Sequence, residues 1–330
     1  MRSWLFFCIA LSIGAVVFAL ALLLRSDYLF FAGYVVLQFV VLATAWNILG
    51  GYCGYVNFGS AAFFAIGVYT SVALGKLGVN PARYLPEFLA GWLKPLLPLP
   101  IPALLLAAGM IAGIIGLGMG YLTLRLRGVF FAIATLAMAV VLQTLIINWD
   151  FVGGARGAYV LRPRVAPLIG GEYVQYLFLL MLGMCVIVLA TARAIERSAL
   201  GYGFAAIRDD EAAAEASGVP TLRLKLIATG LSGGFMGMAG APLPFYVTYL
   251  DPASGFSLNY AVNAIAMPLI GGTSSWLGPV VGAIVVGGLQ EYLRVTISSA
   301  VNVLVAGVLM VAFVILAPQG IVGLFQKRKR

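Results

Sequence analysis

VFFAIATLAMAVVLQTLIIN, residues 129–148, runs for twenty positions without a charged side chain. A helix rises about 1.5 Å per residue, so the run is about 30 Å long, the thickness of a bilayer's hydrocarbon core. In lipid each backbone N–H and C=O must be satisfied within the protein, and a helix does so within one segment. Arg125 and Arg127 precede the run and Asp150 follows it, so the charges stand at its two ends. Outward from here the chain offers ten apolar runs in all, at 4–24, 28–49, 56–74, 96–122, 129–148, 174–192, 226–248, 258–275, 279–292 and 301–316. Two differ from the rest: 258–275 carries Asn259, Asn263 and Pro268, and 279–292 is short for a full crossing. Either is expected to be re-entrant or interrupted. The expectation is an all-α, polytopic membrane protein with about 8–10 transmembrane helices.

Composition agrees. Of 330 residues, 62% are hydrophobic and 9% charged, against roughly 45–50% and about 25% in soluble domains. That excludes a soluble protein and leaves loops but no second soluble domain. The first run follows Arg2, yet it exceeds the 7–15-residue apolar core of a secretory signal, so it is expected to stay as a membrane helix. The formal charge is +9, but the basic residues are scattered between apolar runs rather than gathered on one face, so they bespeak topology and no nucleic-acid partner. Histidine is absent, which removes the usual general base near neutral pH and the commonest metal ligand. Cys8, Cys53 and Cys185 lie in or beside apolar runs without metal-ligand spacing and read as small buried hydrophobes.

Lys and Arg set the orientation. Residues 193–225 hold Arg193, Arg197, Arg208, Arg223 and Lys225, and the tail holds Lys327, Arg328, Lys329 and Arg330. Both regions are expected in the cytoplasm. With four spans between them and six before, both termini fall inside, as do Arg125 and Arg127. Lys76, Arg83, Lys94, Arg156, Arg162 and Arg164 fall outside, in longer Pro- or Gly-containing loops where the bias guides less.

Residues 193–225 also carry ten of the 31 charged residues. Within them, Asp209-Asp210-Glu211-Ala-Ala-Ala-Glu215-Ala216-Ser217-Gly218-Val219-Pro220 reads as a short helix. Acidic residues suit its N-terminus, Ala propagates it, Gly218 suits a left-handed C-terminal position, and Pro220 prevents continuation. About two turns are too few to be stable alone in water, so the helix is expected to pack on the membrane domain or a partner. No Asp, Glu, Lys or Arg falls at mid-span, where a proton- or sodium-coupled carrier usually needs an ionisable group. No G-x-x-x-x-G-K-[ST] phosphate loop is present either, so any ATP hydrolysis belongs to a partner. Glycines at four-residue spacing, Gly109 with Gly113, Gly116 with Gly120, Gly230 with Gly234, Gly233 with Gly237 and Gly278 with Gly282, read as helix-packing faces. Glu291 and Arg294, at i,i+3 spacing, read as an ion pair near a membrane face.

Five blocks, in order, resemble the permease subunits of ABC importers for branched-chain amino acids, the LivM type. They are Asn47-Ile-Leu-Gly-Gly-Tyr-Cys-Gly54 running into 57–70, Leu126–Leu136, Gly203-Phe-Ala-Ala-Ile-Arg-Asp-Asp-Glu211, Gly271-Gly-Thr-Ser-Ser-Trp-Leu-Gly-Pro279 running to Ala283, and Ala317-Pro-Gln-Gly-Ile-Val-Gly-Leu324. The resemblance covers roughly 44–325. It implies an ABC importer permease fold, a single transmembrane permease domain over 1–330, with 193–225 as its cytoplasmic coupling loop. Its implied partners are a homologous second permease subunit, two cytoplasmic ATP-binding subunits carrying ATP and Mg, an extracytoplasmic solute-binding protein and membrane lipid. No cofactor is expected on this chain. Arg208, Asp209, Asp210, Glu211, Glu215 and Gly218 are then the residues that couple to the ATPase. Asn57, Ser60, Asn259 and Asn263, neutral polar groups within spans, are the candidates for a translocation pathway by alternating access in the cytoplasmic membrane. Position 60 is Ser where many relatives carry His, and the EAA-type loop departs from the strict pattern. Urea, amides and aromatic acids therefore stand beside branched-chain amino acids as solutes. A stand-alone carrier would explain the spans but gives the charged loop no purpose. A membrane enzyme would need a carboxylate cluster that Asp209-Asp210-Glu211 does not complete.

Overall fold

A computed structural model describes residues 3–23, 27–79, 99–160, 173–296, 307–308, 311–312 and 320–327. Most of the expected span at 301–316, together with Arg83, Lys94, Arg162, Arg164 and residues 328–330, lies outside the described residues. Helices, numbered in chain order, are α1 Ser3–Leu23, α2 Asp27–Asn47, α3 Ser60–Val79, α4 Ile101–Thr123, α5 Val129–Ile147, α6 Tyr173–Glu196, α7 Ala199–Asp209, α8 Glu211–Ala216, α9 Thr221–Gly240, α10 Leu243–Val247, α11 Pro252–Gly255, α12 Leu258–Gly271, α13 Leu277–Thr296 and α14 Gly320–Lys327. Among the described residues six helical segments, Asp27–Tyr52, Ser60–Val79, Ile101–Thr123, Val129–Ile147, Tyr173–Glu196 and Thr221–Val247, are both long and apolar enough to cross a membrane, against the 8–10 expected; α1 and α13 have 21 and 20 residues, the length of a crossing.

Five helices differ in their bounds from the expected spans, each for a local reason. The span expected from 56 starts as helix only at Ser60, because α2 runs into a π-helical turn, Ile48–Tyr52, and the chain then extends through 54–57. α6 continues one turn past 192, so Arg193 is helical and buried rather than a loop residue. α9 begins at Thr221, so Arg223 and Lys225 are helical too, and it stops before Pro242. α12 is cut to 14 residues by the turn at Gly272, whose φ is +116°, and at about 21 Å it is short of a full crossing. α13, by contrast, reaches 20 residues; Pro279 sits in its first turn, where a missing N–H leaves no helical bond unmade.

The chain forms two compact units, residues 1–54, 167–224 and 262–330 in one and residues 55–166 and 225–261 in the other. In the first unit α2 is the central helix, flanked by α6 and α13. Phe18, Phe30 and Phe178 pack edge-to-face and tilted, with ring centroids 5.4 to 6.2 Å apart. α12 and α13 approach as a tight hairpin: a Cβ at Gly282 or Gly278 would collide with the carbonyls of Met267 and Gly272. Tyr28 donates to the Glu291 carbonyl at 2.9 Å, and Glu291 pairs with Arg294 at 2.9 Å, as its spacing predicts.

In the second unit α3 and α4 pack together, and small residues bring α9 against both. Gly109 and Gly113 of α4 face Gly230 and Gly234 of α9, and a Cβ on Gly67 of α3 would run into the carbonyl of Gly237. Without a hydrophobic driving force between helices in lipid, such backbone approach is what holds them. β1 Ala158–Tyr159 pairs antiparallel with β2 Tyr249–Leu250, in the register Ala158 to Leu250 and Tyr159 to Tyr249. At that same end Lys76 Nζ donates to the Phe151 carbonyl at 2.9 Å.

Candidate functional site

The short helix α8 forms as its sequence demands. Asp210, extended at φ −159° and ψ 108°, places Oδ1 to accept from the N–H groups of Ala212 at 2.9 Å and Ala213 at 3.1 Å. Two donors that a helix start leaves orphaned are thereby satisfied. At the other end Gly218, at φ +82°, lets its own N–H bond the Glu215 carbonyl and the Val219 N–H bond the Ala214 carbonyl, both at 3.0 Å. That is the paired closure of a Schellman motif. Six residues are fewer than the two turns expected, and Asp209 ends α7 instead of opening α8. Ala214 is the buried anchor, while Ala212, Ala213, Glu215 and Ala216 are exposed. Thr221 Oγ1 donates to Glu215 Oε1 at 2.8 Å, fastening α8 to the first residue of α9. Arg208 pairs with Asp209 at 3.3 Å in the open, an exposed contact worth little. Its more telling neighbour is Gly54, where a Cβ would lie 2.9 Å from Arg208 Cγ and where φ is +79°.

Around this segment the first unit gathers stretches far apart in sequence. Asn47 Nδ2 donates to the Thr273 carbonyl at 3.2 Å. The Trp276 N–H donates to Glu196 Oε2 at 3.0 Å, and the Arg193 guanidinium lies 5.7 Å from the centre of the Trp276 ring. Gly320 packs on Gly271 and Gly272, so closely that no Cβ would fit. Four of the five resembling blocks, at 47–54, 203–211, 271–279 and 317–324, thus contribute residues to one end of one unit. Their glycines were the sequence signal; the roles of Arg193, Glu196 and Trp276 were not legible, since each depends on a partner some 80 residues away.

The pathway candidates are not gathered in the same way. Asn57 and Ser60 are buried in the second unit and start α3: Asn57 Oδ1 accepts from the Gly59 N–H at 2.7 Å, and Ser60 Oγ donates to the Asn57 carbonyl at 3.0 Å. Asn259 is exposed, with its N–H on Ser257 Oγ at 3.3 Å. Asn263 is buried in the first unit and accepts from Gln290 Nε2 at 3.0 Å, a partner that the sequence did not suggest.

The family model described as branched-chain amino acid transport system / permease component matches residues 28–314. The chain belongs to this family. Within it, the chain is 28% identical over 307 residues to the high-affinity branched-chain amino acid transport system permease protein LivM of Escherichia coli (strain K12), covering 86% of this chain and 67% of that one. It is 27% identical over the same length to LivM of Salmonella typhimurium. The ribose import permease protein RbsC of Bacillus subtilis (strain 168) is 30% identical over 129 residues, 37% of this chain and 39% of that one. No solved structure matches the chain. As a branched-chain transport permease component, it is a multi-pass membrane protein and a permease subunit of an ABC transporter system, not an enzyme; ATP hydrolysis lies with partner subunits.

Proposed function

We propose that this chain is the permease through which an ATP-driven importer moves branched-chain amino acids across the cytoplasmic membrane. A homologous second permease stands beside it, two ATP-binding subunits carrying ATP and Mg lie beneath, and a solute-binding protein delivers cargo from outside. Both termini are cytoplasmic. The observation that carries the reading is α8: a helix capped at Asp210 and Gly218, anchored by Ala214 and bonded to α9 through Glu215 and Thr221, with its remaining face exposed. A helix this short gains its order from packing, and its open face suits a groove on an ATPase. Closure of the ATPases around ATP then displaces α8 and, through Thr221, the start of α9. The membrane helices alternate between outward- and inward-facing states. Neutral polar groups such as Asn57, Ser60, Asn259 and Asn263 suit transient contact with a zwitterionic solute, since a pathway must bind weakly enough to release.

Glu211→Arg and Glu215→Arg test the coupling segment in the complete complex. Uptake of labelled L-leucine falls while the chain still inserts and the ATPases still hydrolyse ATP. Undiminished uptake in both variants overturns the assignment.

A further inference from the structure

Lys225 is 3% exposed. A lysine near a membrane face ordinarily extends its amine to water, but this one turns inward. Nζ donates to the Tyr55 hydroxyl and to the Leu124 carbonyl, each at 3.2 Å, and lies 4.9 Å from the centre of the Tyr55 ring. Tyr55 is itself buried edge-to-face against Phe131, with centroids 5.0 Å apart. One amine therefore joins three segments of the second unit: the start of α9, the turn that ends α4, and the extended stretch that leads into α3.

Their places in the chain give the contact its meaning. The chain passes from the first unit to the second after Gly54 and again after Leu224, so Tyr55 and Lys225 are the first residues of the second unit at those two crossings. Both crossings follow directly on the coupling side: 48–54 ends at the glycine that packs on Arg208, and Thr221, bonded to Glu215, stands one turn before Lys225. We infer that Lys225 is a positioning residue for energy coupling, fastening the two points at which the chain enters the second unit so that α3, α9 and the 123–125 turn are displaced as one body. This rests on the importer reading above. A displacement arriving through either crossing meets a fastened pair; with the amine removed, Leu124 O and the Tyr55 hydroxyl lose a buried partner and the segments yield separately.

The test uses the full complex in proteoliposomes and reads L-leucine taken up per ATP hydrolysed, with co-purified subunit stoichiometry as the check on assembly. Lys225→Met keeps the length of the side chain and removes its donors; the ratio is expected to fall about tenfold, the loss of one or two hydrogen bonds from an amine. Lys225→Arg, which keeps donors in place, is expected to restore it to within about threefold. An assembled K225M complex with the ratio of the unsubstituted protein overturns the proposal. Should K225M not assemble, Tyr55→Phe decides: it removes one acceptor and keeps the ring, so a lowered ratio supports the role and an unchanged one overturns it. Uptake by the unsubstituted complex, measured alongside, tests the importer reading separately.

Discussion

Asp210 and Gly218 bracket a helix that could not stand without them. Asp210→Ala strips the cap from Ala212 and Ala213 and is expected to cost about 1 kcal/mol; Asp210→Ser, itself a good cap, costs less. Gly218→Ala acts differently. Nothing lies within 4 Å of a Cβ there, so its expected cost, about 1–2 kcal/mol, is that of an L-residue held at positive φ. Amide hydrogen exchange over residues 211–217 in the detergent-solubilised protein reads both, with exchange about fivefold faster per kcal/mol lost. Gly218 was legible in the sequence as the end of the helix, and the acidic run as its start, because capping is local: a side chain or a φ value satisfies groups two or three residues away; that Asp210 is the cap and Asp209 belongs to α7 was not. Nor were Arg193 and Lys225. Both counted as loop charges, and both are buried in helices because Trp276 in one case and Tyr55 and Leu124 in the other receive them.

At the scale of elements, the packing of α3, α4 and α9 rests on backbone meeting backbone. Gly67→Val and Gly237→Leu each place a branched side chain where a carbonyl or an Ala108–Ala112 ridge already stands. Overpacking of this kind is expected to cost about 1–3 kcal/mol, read as a lowered midpoint when the purified protein is heated and its monodispersity followed. Gly118→Ala is the control: nothing lies within 4 Å of a Cβ there, and the midpoint should hold or rise slightly, since Ala favours a helix. Four-residue glycine spacing announced that α4 and α9 have close-packing faces. It did not announce that they face each other, because periodicity fixes a face and not its partner. The α12–α13 hairpin shows the same limit. Hydropathy suspected both runs, but only the turn at Gly272 decides that α12 is short and α13 full-length.

Within each unit, contacts among the described residues join chain ends that loop parity assigns to one side, and labelling decides which side is cytoplasmic. In the first unit, Tyr28 meets Glu291 at the end assigned outside, while Asn47 meets Thr273 and Glu196 meets Trp276 at the end assigned inside. In the second, β1 pairs with β2 and Lys76 meets Phe151 outside, and Lys225 meets Tyr55 and Leu124 inside. Tyr159 and Tyr202 are 81% and 75% exposed and test the assignment. In a chain with Cys8, Cys53 and Cys185 replaced by Ser, Tyr159→Cys is expected to react with a membrane-impermeant maleimide in intact spheroplasts, and Tyr202→Cys only after permeabilisation. The reverse pattern inverts the topology.

The central claim is that this chain supplies a path and a lever but no energy of its own. Its most direct test is accumulation of labelled L-leucine in proteoliposomes that hold the chain alone, or the chain with the second permease, ATP-binding subunits and solute-binding protein proposed for it. Leucine is predicted to accumulate only in the complete assembly, and only with ATP and Mg on the cytoplasmic side. Equal uptake by the chain alone, or uptake indifferent to ATP, would contradict the account.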